Sequence, residues 1–296
     1  MKVKGSSMSY AIYSDESGSG VDRFEAVGTI SGLNTDIALL RTQLKGILVK
    51  YSQSHCEYKK VSGGLIKQCA QEFIKELHKH VVSGRIKVMV LVWDKHDVRH
   101  QVSRRDDCAN LSIMYYHALK TTMKQWSDTT IDTSFHPDEL SKVDFSSIVR
   151  YVNNTRVRDY TGTTALLGKS FRQFFSTVVN HSEKISRDEP ITQLIDIMTG
   201  IVRLSYEESD RYKAWLLSAS GQQDLFGPAK PATVSKNMSY KFELKSYTNS
   251  LFKTNTMQVA LDSTNGFHSH RPSCGYFFWK YQPQRIDDKA PQRNHG

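Results

Sequence analysis

No apolar run in this 296-residue chain approaches the roughly 18–20 residues needed to cross a bilayer, so nothing in it reads as a membrane-spanning helix. The N-terminal MKVKGSSMSY starts basic but has no apolar stretch behind it, which is not the pattern of a secretory signal. Cysteine is scarce. Cys56, Cys69, Cys108 and Cys274 stand far apart, without a CxxC pair or a disulfide-framework spacing, and read as reduced thiols of a cytoplasmic protein. His268, His270 and Cys274 have no second pair with which to hold zinc. Gly18 and Gly20 are not followed by a third glycine opening a helix, which excludes a dinucleotide loop, and neither a P-loop nor a nucleophile elbow occurs. Internal repeats and low-complexity tracts are missing as well.

An acidic excess is also lacking. Lys and Arg number 40 against 30 Asp and Glu, so 40 − 30 leaves +10 with histidines neutral, and the pI is near 9.3. Such a balance suits an anionic partner, for which nucleic acid is the commonest candidate when no membrane span is present. A hydrophobic content of 39%, with 10% aromatics, supports a sizeable core and rules out a wholly disordered chain. The length allows one large or two ordinary domains.

Residue spacing orders the chain into strands and helices. Ser9–Ser14 alternates as a strand and runs into the turn-rich DESGSG, with Phe24–Ile30 as its hairpin partner. Ile37, Leu40, Leu44, Ile47 and Tyr51 fall at helical spacing behind a cap at Asn34 or Thr35. Ile66, Ala70, Phe73, Leu77 and Val81 repeat the pattern until Gly84 ends it. Ile86–Trp93 is apolar on both faces except at Lys87, as a central strand covered on both sides should be. Leu111, Tyr115, Ala118, Thr122 and Trp126 mark a further helix. Thr129–Phe135 reads as a weaker strand, Phe145–Val152 as a short helix, and Phe174–Val179 as the last core strand. Pro190 opens a final helix through Leu204.

This alternation implies an α/β fold, a mixed sheet flanked by helices. The expected organisation is a core domain over 8–209, a basic and aromatic C-terminal extension packing on it over 210–282, and a disordered tail over 283–296. Gly221–Gly296 holds ten Lys/Arg against five Asp/Glu, and 10 − 5 gives +5. Within it Tyr276, Phe277, Phe278, Trp279 and Tyr281 read as a strand closing the sheet, with base stacking as the alternative.

Carboxylates cluster at predicted strand ends. Asp15 follows the first strand directly and shares a side with Ala11 and Tyr13, while Glu16 points the other way. In an open α/β sheet the carboxyl ends of strands are where ligands bind. Asp94 repeats the arrangement after the central strand, and would stand roughly 5 Å from Asp15 if the two strands were neighbours. Asp138 and Glu139 follow the weaker strand. Asp196 is a lone acid in an apolar helical turn, on a stripe with Gln193, Gly200 and Arg203, and Gly200 suggests close approach of this helix to the first strand. Glu57 and Lys59 could offer a metal ligand and a phosphate-facing cation. Converging carboxylates repel unless a cation sits among them, and oxygen-only donors favour Mg²⁺ or Mn²⁺. Two such ions promote phosphodiester hydrolysis, so with a basic surface the pattern points to a nuclease. Lys236, Lys241, Lys245, Lys253, Arg271 and Lys280 are the candidate phosphate contacts in the extension.

Five segments together resemble the domain-of-unknown-function 3800 family, predicted nucleases of the RNase H-like superfamily. They are YSDESGSG (13–20), CEYKK (56–60), VLVWDK (90–95), HPDELSKVDFSSIVRYV (136–152) and QLIDIMTGIVRL (193–204). The resemblance covers roughly 9–205 and implies an RNase H-like catalytic domain, with three antiparallel strands followed by parallel ones. It implies Asp15 as the first-strand metal ligand and Asp196 as the last-helix ligand. The middle ligand is Asp94 by superfamily topology or Asp138 by local motif. Two other readings stay open: a non-catalytic nucleic-acid-binding protein, and a restriction-type nuclease built on Glu57-x-Lys59 in which Asp196 is dispensable.

Overall fold

A computed structural model describes residues 9–18, 22–97, 107–126, 132–139, 142–158, 171–173, 179–183, 188–220, 234–255, 257–263, 266–269 and 274–282. The tail expected over 283–296, Arg271, and most of the strand expected at Phe174–Val179 lie outside these residues.

The protein is an α/β fold built on one mixed sheet. β1 (Ser9–Ser17) pairs antiparallel with β2 (Phe24–Leu33), and β2 pairs antiparallel with β3 (Ile86–Asp94). On the other side of β1, β4 (Asp132–Pro137) runs parallel to it, and a short β7 (Val179–His181) runs parallel to β4. β10 (Tyr276–Lys280) is added parallel to β3 at the far edge, giving the order β10-β3-β2-β1-β4-β7. The apolar run in β3 has the predicted consequence: every residue from Val88 to Asp94 is buried, and only Lys87 is partly exposed.

Helices cover both faces. α1 (Asn34–Lys50), α2 (Gly64–Val82) and α5 (Pro190–Glu207) pack against Ala11, Tyr13, Ala26, Ile30, Val88 and Val90. α3 (Asp107–Lys124) and α4 (Phe145–Asn153) pack against Ile12, Val27, Met89, Leu91 and Phe135. The odd and even residues of β1 therefore serve two cores, as the two-residue period of a strand requires. α6 (Ser209–Ser220) and α7 (Lys236–Thr254) follow α5, and Leu244 and Phe252 of α7 join the core on the α1, α2, α5 side. Two small antiparallel pairs complete the described elements: β5 (Arg156–Arg158) with β6 (Phe171–Gln173), and the C-terminal hairpin β8 (Val259–Ser263) with β9 (Gly266–Ser269).

Three local expectations change. Neither Asn34 nor Thr35 caps α1: the cap position is Leu33, without a side-chain bond, and the Asn34 amide instead donates to the Ser9 hydroxyl at 2.5 Å. Gly200 does not meet the first strand. A Cβ there would lie 2.3 Å from the Tyr58 ring, so this glycine makes room for the segment before α2. The close approach of α5 to the sheet is at Gly28 of β2, where a Cβ would fall 2.0 Å from Thr199 Oγ1 and 2.8 Å from Ile195 Cδ1. Pro190 does open α5 as expected, with the Glu189 carboxylate accepting the Ile191 N–H at 3.2 Å.

Candidate active site

Sheet register decides which strand-end acids meet. β1 and β4 run parallel with Tyr13 level with His136 and Ser14 level with Pro137, and the Asp138 N–H donates to the Ser14 carbonyl at 2.9 Å. Asp138 is thus level with Asp15 on the adjoining strand, about 5 Å away between backbones. Asp15 points to the α5 side and Glu16 to the α3 side, where the Tyr115 hydroxyl donates to it. From above the sheet α5 brings Asp196, positioned by the contact at Gly28, which pairs with Asp15 across the β1–β2 ladder.

The stripe on α5 has a structural purpose that its spacing alone did not disclose. Gln193 Oε1 accepts the Cys56 N–H at 2.9 Å, Asp196 Oδ2 accepts the Tyr58 N–H at 2.7 Å, and Gly200 receives the Tyr58 ring. The segment 56–60 is therefore docked on α5 beside the acids. Glu57 and Lys59, weighed in sequence as the core of a different site, join this one. They lie at a 3₁₀ turn (Tyr58–Lys60) rather than on a strand, and Glu57 Oε2 stands 3.4 Å from Lys59 Nζ and 3.3 Å from Lys60 Nζ. Arg203, one turn beyond Gly200, bonds the Ser17 hydroxyl and pairs with Asp22 at 3.2 Å, closing the β1–β2 connection onto α5.

Electrostatics single out this edge. Burial lifts the Asp15 carboxyl well above the usual carboxylate range, and Asp196, Glu16 and Asp138 push it further, against one Glu16 N–H bond at 2.8 Å. Asp196 is pushed up to about 6, first by burial and then by Glu57 and Asp138, while the Tyr58 N–H and Lys59 oppose the shift. Glu16 is raised by burial, with Asp138 and Glu25 adding to it and the Tyr115 hydroxyl opposing. Glu57 moves the other way, since Lys60 and Lys59 outweigh its burial. Glu139 follows Asp138 but is exposed to solvent.

Asp94 is not part of this cluster. β2 lies between β1 and β3, so the neighbouring-strand spacing expected between Asp15 and Asp94 does not occur. Through β2, Asp15 is level with Gly28 and hence Val90, whereas Asp94 is level with Phe24. The offset is about 13 Å along the strands and about 10 Å across them. Its carboxylate is taken by Arg23, with Nη2 at 2.7 Å and Nε at 3.1 Å, and by the His96 N–H at 3.0 Å. Burial alone would raise its pKa, but Arg23, the His96 amide and Lys280 hold it below the usual range.

The expected cations of the extension separate in the same way. Lys241 of α7 reaches the site: its Nζ lies 4.7 Å over the Tyr58 ring, and its pKa is lowered by burial and by Arg203, against the pull of Asp196 and Asp22. Lys245 is 1% exposed, 3.5 Å over the Tyr212 ring, with its pKa pushed down to about 7 by burial, and so is no surface contact for a phosphate. Lys253 pairs with Asp262 at 2.8 Å, Lys280 stands over Phe24 and Tyr206 on the Asp94 side, and Lys236 is exposed at the start of α7. Tyr58 and Tyr115 were not singled out as site residues in sequence. Tyr58 stood inside the CEYKK motif, but only the fold shows its amide holding Asp196.

The donors here are all carboxylate oxygens, the chemistry that suits Mg²⁺ or Mn²⁺. As the side chains stand, no three His, Cys, Asp or Glu among the described residues are gathered closely enough to hold an ion. No described helix is long and apolar enough to cross a membrane.

No family model matches the sequence. The uncharacterized protein ORF2 of Methanothermobacter thermautotrophicus is 27% identical over 289 residues, which span 95% of this chain and 97% of that protein. The uncharacterized protein ORF2' of the same organism is 32% identical over 209 residues, 70% of this chain and 69% of that protein. The shared sequence extends through most of both chains, and the protein accordingly belongs to one family with ORF2' of Methanothermobacter thermautotrophicus.

Proposed function

We propose that the protein is a metal-dependent nuclease of RNase H-like fold, akin to the domain-of-unknown-function 3800 proteins, with its active site at the carboxyl edge of β1 and β4. The observation that carries this reading is the gathering of three acids at one sheet edge. Buried Asp15 has its pKa raised by burial and then by Asp196 and Asp138, and Asp196 has its own raised by burial and then by Glu57 and Asp138. The order β3-β2-β1-β4-β7, three antiparallel strands followed by parallel ones, supports it, being the arrangement the resemblance implies.

Asp15, Asp138 and Asp196 would hold one or two Mg²⁺ or Mn²⁺ ions. When bound, such ions activate a water and stabilise the leaving oxygen of a phosphodiester. As the side chains stand they are not gathered around one point, so binding an ion would have to draw them together. The other residues orient and hold. The Tyr58 amide fixes the Asp196 carboxylate, the Tyr115 hydroxyl fixes Glu16, and Lys59 and Lys241 flank the acids, where a polyanionic backbone needs cations beside the repelling carboxylates. Asp94 has no place in this assignment, and Glu57 with Lys59 assists it rather than founding a restriction-type site.

The test is cleavage of labelled single-stranded RNA, single-stranded DNA and an RNA–DNA hybrid by the purified protein. Activity lost in EDTA and restored by Mn²⁺ is expected. Nucleic-acid affinity with no cleavage in Mg²⁺ or Mn²⁺ would replace the nuclease by a binding protein with the same basic surface.

A further inference from the structure

On the opposite face of the sheet from Asp196, α3 and α4 leave a groove between them. It encloses about 540 Å³ and is lined by Ile113, Tyr116 and Lys120 of α3 and by Ile148, Tyr151 and Asn154 of α4 and its end, among others. That volume is in the range of sites that take a small organic ligand. Both helices touch the acidic edge: Tyr115, midway along α3, bonds Glu16, and Asp144, the cap of α4, stands six residues after Asp138. Between Asp144 and Thr155 the groove runs back about 16 Å at 1.5 Å per helical residue.

The lining has the chemistry of a nucleobase site. Ile113 and Ile148 supply an apolar lining, and two tyrosines line the groove. Tyr116 is anchored, its hydroxyl 3.1 Å from Thr155 Oγ1, while Tyr151 is 63% exposed and so accessible to a ligand ring. Most polar lining groups are already engaged. Ser112 donates to the Cys108 carbonyl, Thr155 to the Tyr151 carbonyl, and the Asp144 carboxylate accepts from the Ser147 amide and hydroxyl as the cap of α4. Lys120 and Asn154 differ: neither side chain has a hydrogen-bond partner among the described residues, although Lys120 Nζ stands 5.3 Å over the Tyr116 ring. Lys120 is the cation of the lining and Asp144, engaged as the α4 cap, its carboxylate. Beside the lining, Lys124 has its pKa lowered by burial and then by Lys120, and Arg150 stands 5.9 Å from the Tyr151 ring.

We infer that the α3–α4 groove binds an unpaired nucleotide, its base against Tyr151 and Tyr116, its edge read by the Asn154 amide and its phosphate held by Lys120. A ring with a π-face, a hydrogen-bonding edge and an attached anion satisfies all of these groups together. The inference deepens the nuclease reading by naming its substrate as a single strand that continues from the acidic edge into the groove. The same chemistry could come from a free mononucleotide, and the experiment separates the two.

The probe is a fluorescein-labelled ten-nucleotide oligouridine, its binding to the full chain read by anisotropy in EDTA, so that a failure of the nuclease reading leaves the measurement intact. Tyr151→Ala should weaken binding about tenfold, the worth of one stacked base, or about 1.4 kcal/mol. Lys120→Gln should reduce the slope of log affinity against log salt by about 0.7, one phosphate contact. Competition by uridine monophosphate that is itself weakened by both substitutions identifies a free nucleotide as the ligand, and competition by oligonucleotide alone identifies the strand. Wild-type affinity and salt slope in Tyr151→Ala, Lys120→Gln and Asn154→Ala, or no binding of either probe at low salt, would overturn the proposal. All three positions are at least partly exposed, and circular dichroism of each variant confirms that loss of binding is not loss of fold.

Discussion

Asp15 and Asp94 look alike in sequence and behave as opposites in the fold. Each lies near the carboxyl end of a buried strand, Asp94 as the last residue of β3 and Asp15 two residues before the end of β1. The two strands run in the same direction, and each aspartate is 6% exposed. Accessibility therefore does not distinguish them, and their neighbours do. Arg23 arrives from the β1–β2 connection and takes the Asp94 carboxylate in two-point fashion, which lowers its pKa. Asp15 has Asp196, Glu16 and Asp138 about it and a single amide donor, which raises its pKa. A buried carboxylate matched by a cation is a structural element. A buried carboxylate among other carboxylates is a charge problem that a ligand can relieve.

The sharpest way to break this comparison is to neutralise each acid in turn. Asp15→Asn and Asp138→Asn should lower metal-dependent cleavage by on the order of 10²–10³ with the fold retained, since each removes charge at nearly constant shape. Asp94→Asn should leave cleavage within a few-fold and cost stability on the order of 1 kcal/mol, because it weakens a pair whose arginine is largely exposed. Steady-state kinetics and thermal melts of the three variants decide it. Equal losses of cleavage at Asp94 and Asp15 would erase the distinction.

The second contrast is in pH and metal. With a native pKa of about 6, Asp196 sits above its unfolded value of about 3.9, so the native state binds more protons between those limits and stability falls as pH rises through them. In EDTA, Asp196→Asn should therefore raise the melting temperature at pH 7 by a few degrees, on the order of 2 kcal/mol or less. Mn²⁺ should raise the wild-type melting temperature at pH 7 more than at pH 5, and should do little for the Asn variant. Differential scanning calorimetry at the two pH values reads this directly.

Two smaller effects sharpen the geometry. Gly28→Ala places a methyl group against Thr199 and Ile195 and should cost about 1–3 kcal/mol and displace α5 from β1, reducing cleavage as well. Gly46→Ala, whose Cβ would meet nothing within 4 Å, should instead be neutral or stabilising by up to about 1 kcal/mol in urea melts. Lys241→Gln should raise KM for an oligonucleotide and flatten its salt dependence by about 0.7, whereas Lys253→Gln, paired with Asp262, should change neither.

Much of this architecture is written in local patterns. The alternation in β1, the double-sided apolar run of β3 and the helical spacing in α1, α2 and α5 depend on side chains close in sequence, where a period of two or of 3.6 residues is visible directly. The opposite facing of Asp15 and Glu16 follows from the same period. Lys245 shows where pattern stops being sufficient. Nothing near it in the chain marks it as interior, and its burial over Tyr212 depends on how α7 packs.

By itself the sequence determined the α/β class, most of the strands and helices up to α5, and that Asp15 and Asp196 are acids in settings where acids need a reason. It disclosed neither α6 and α7 nor the β8–β9 hairpin. The tertiary structure decided the company they keep. It placed β4 rather than β3 beside β1, giving Asp138 the position that Asp94 could equally have claimed, and it docked Glu57 and Lys59 onto α5. Strand order and helix docking join residues tens to well over a hundred positions apart, and no local periodicity records them. They are set by how two apolar faces of one sheet are covered at once, and small features on a neighbouring strand, such as the missing side chain of Gly28 opposite Asp15, determine how closely the third acid approaches.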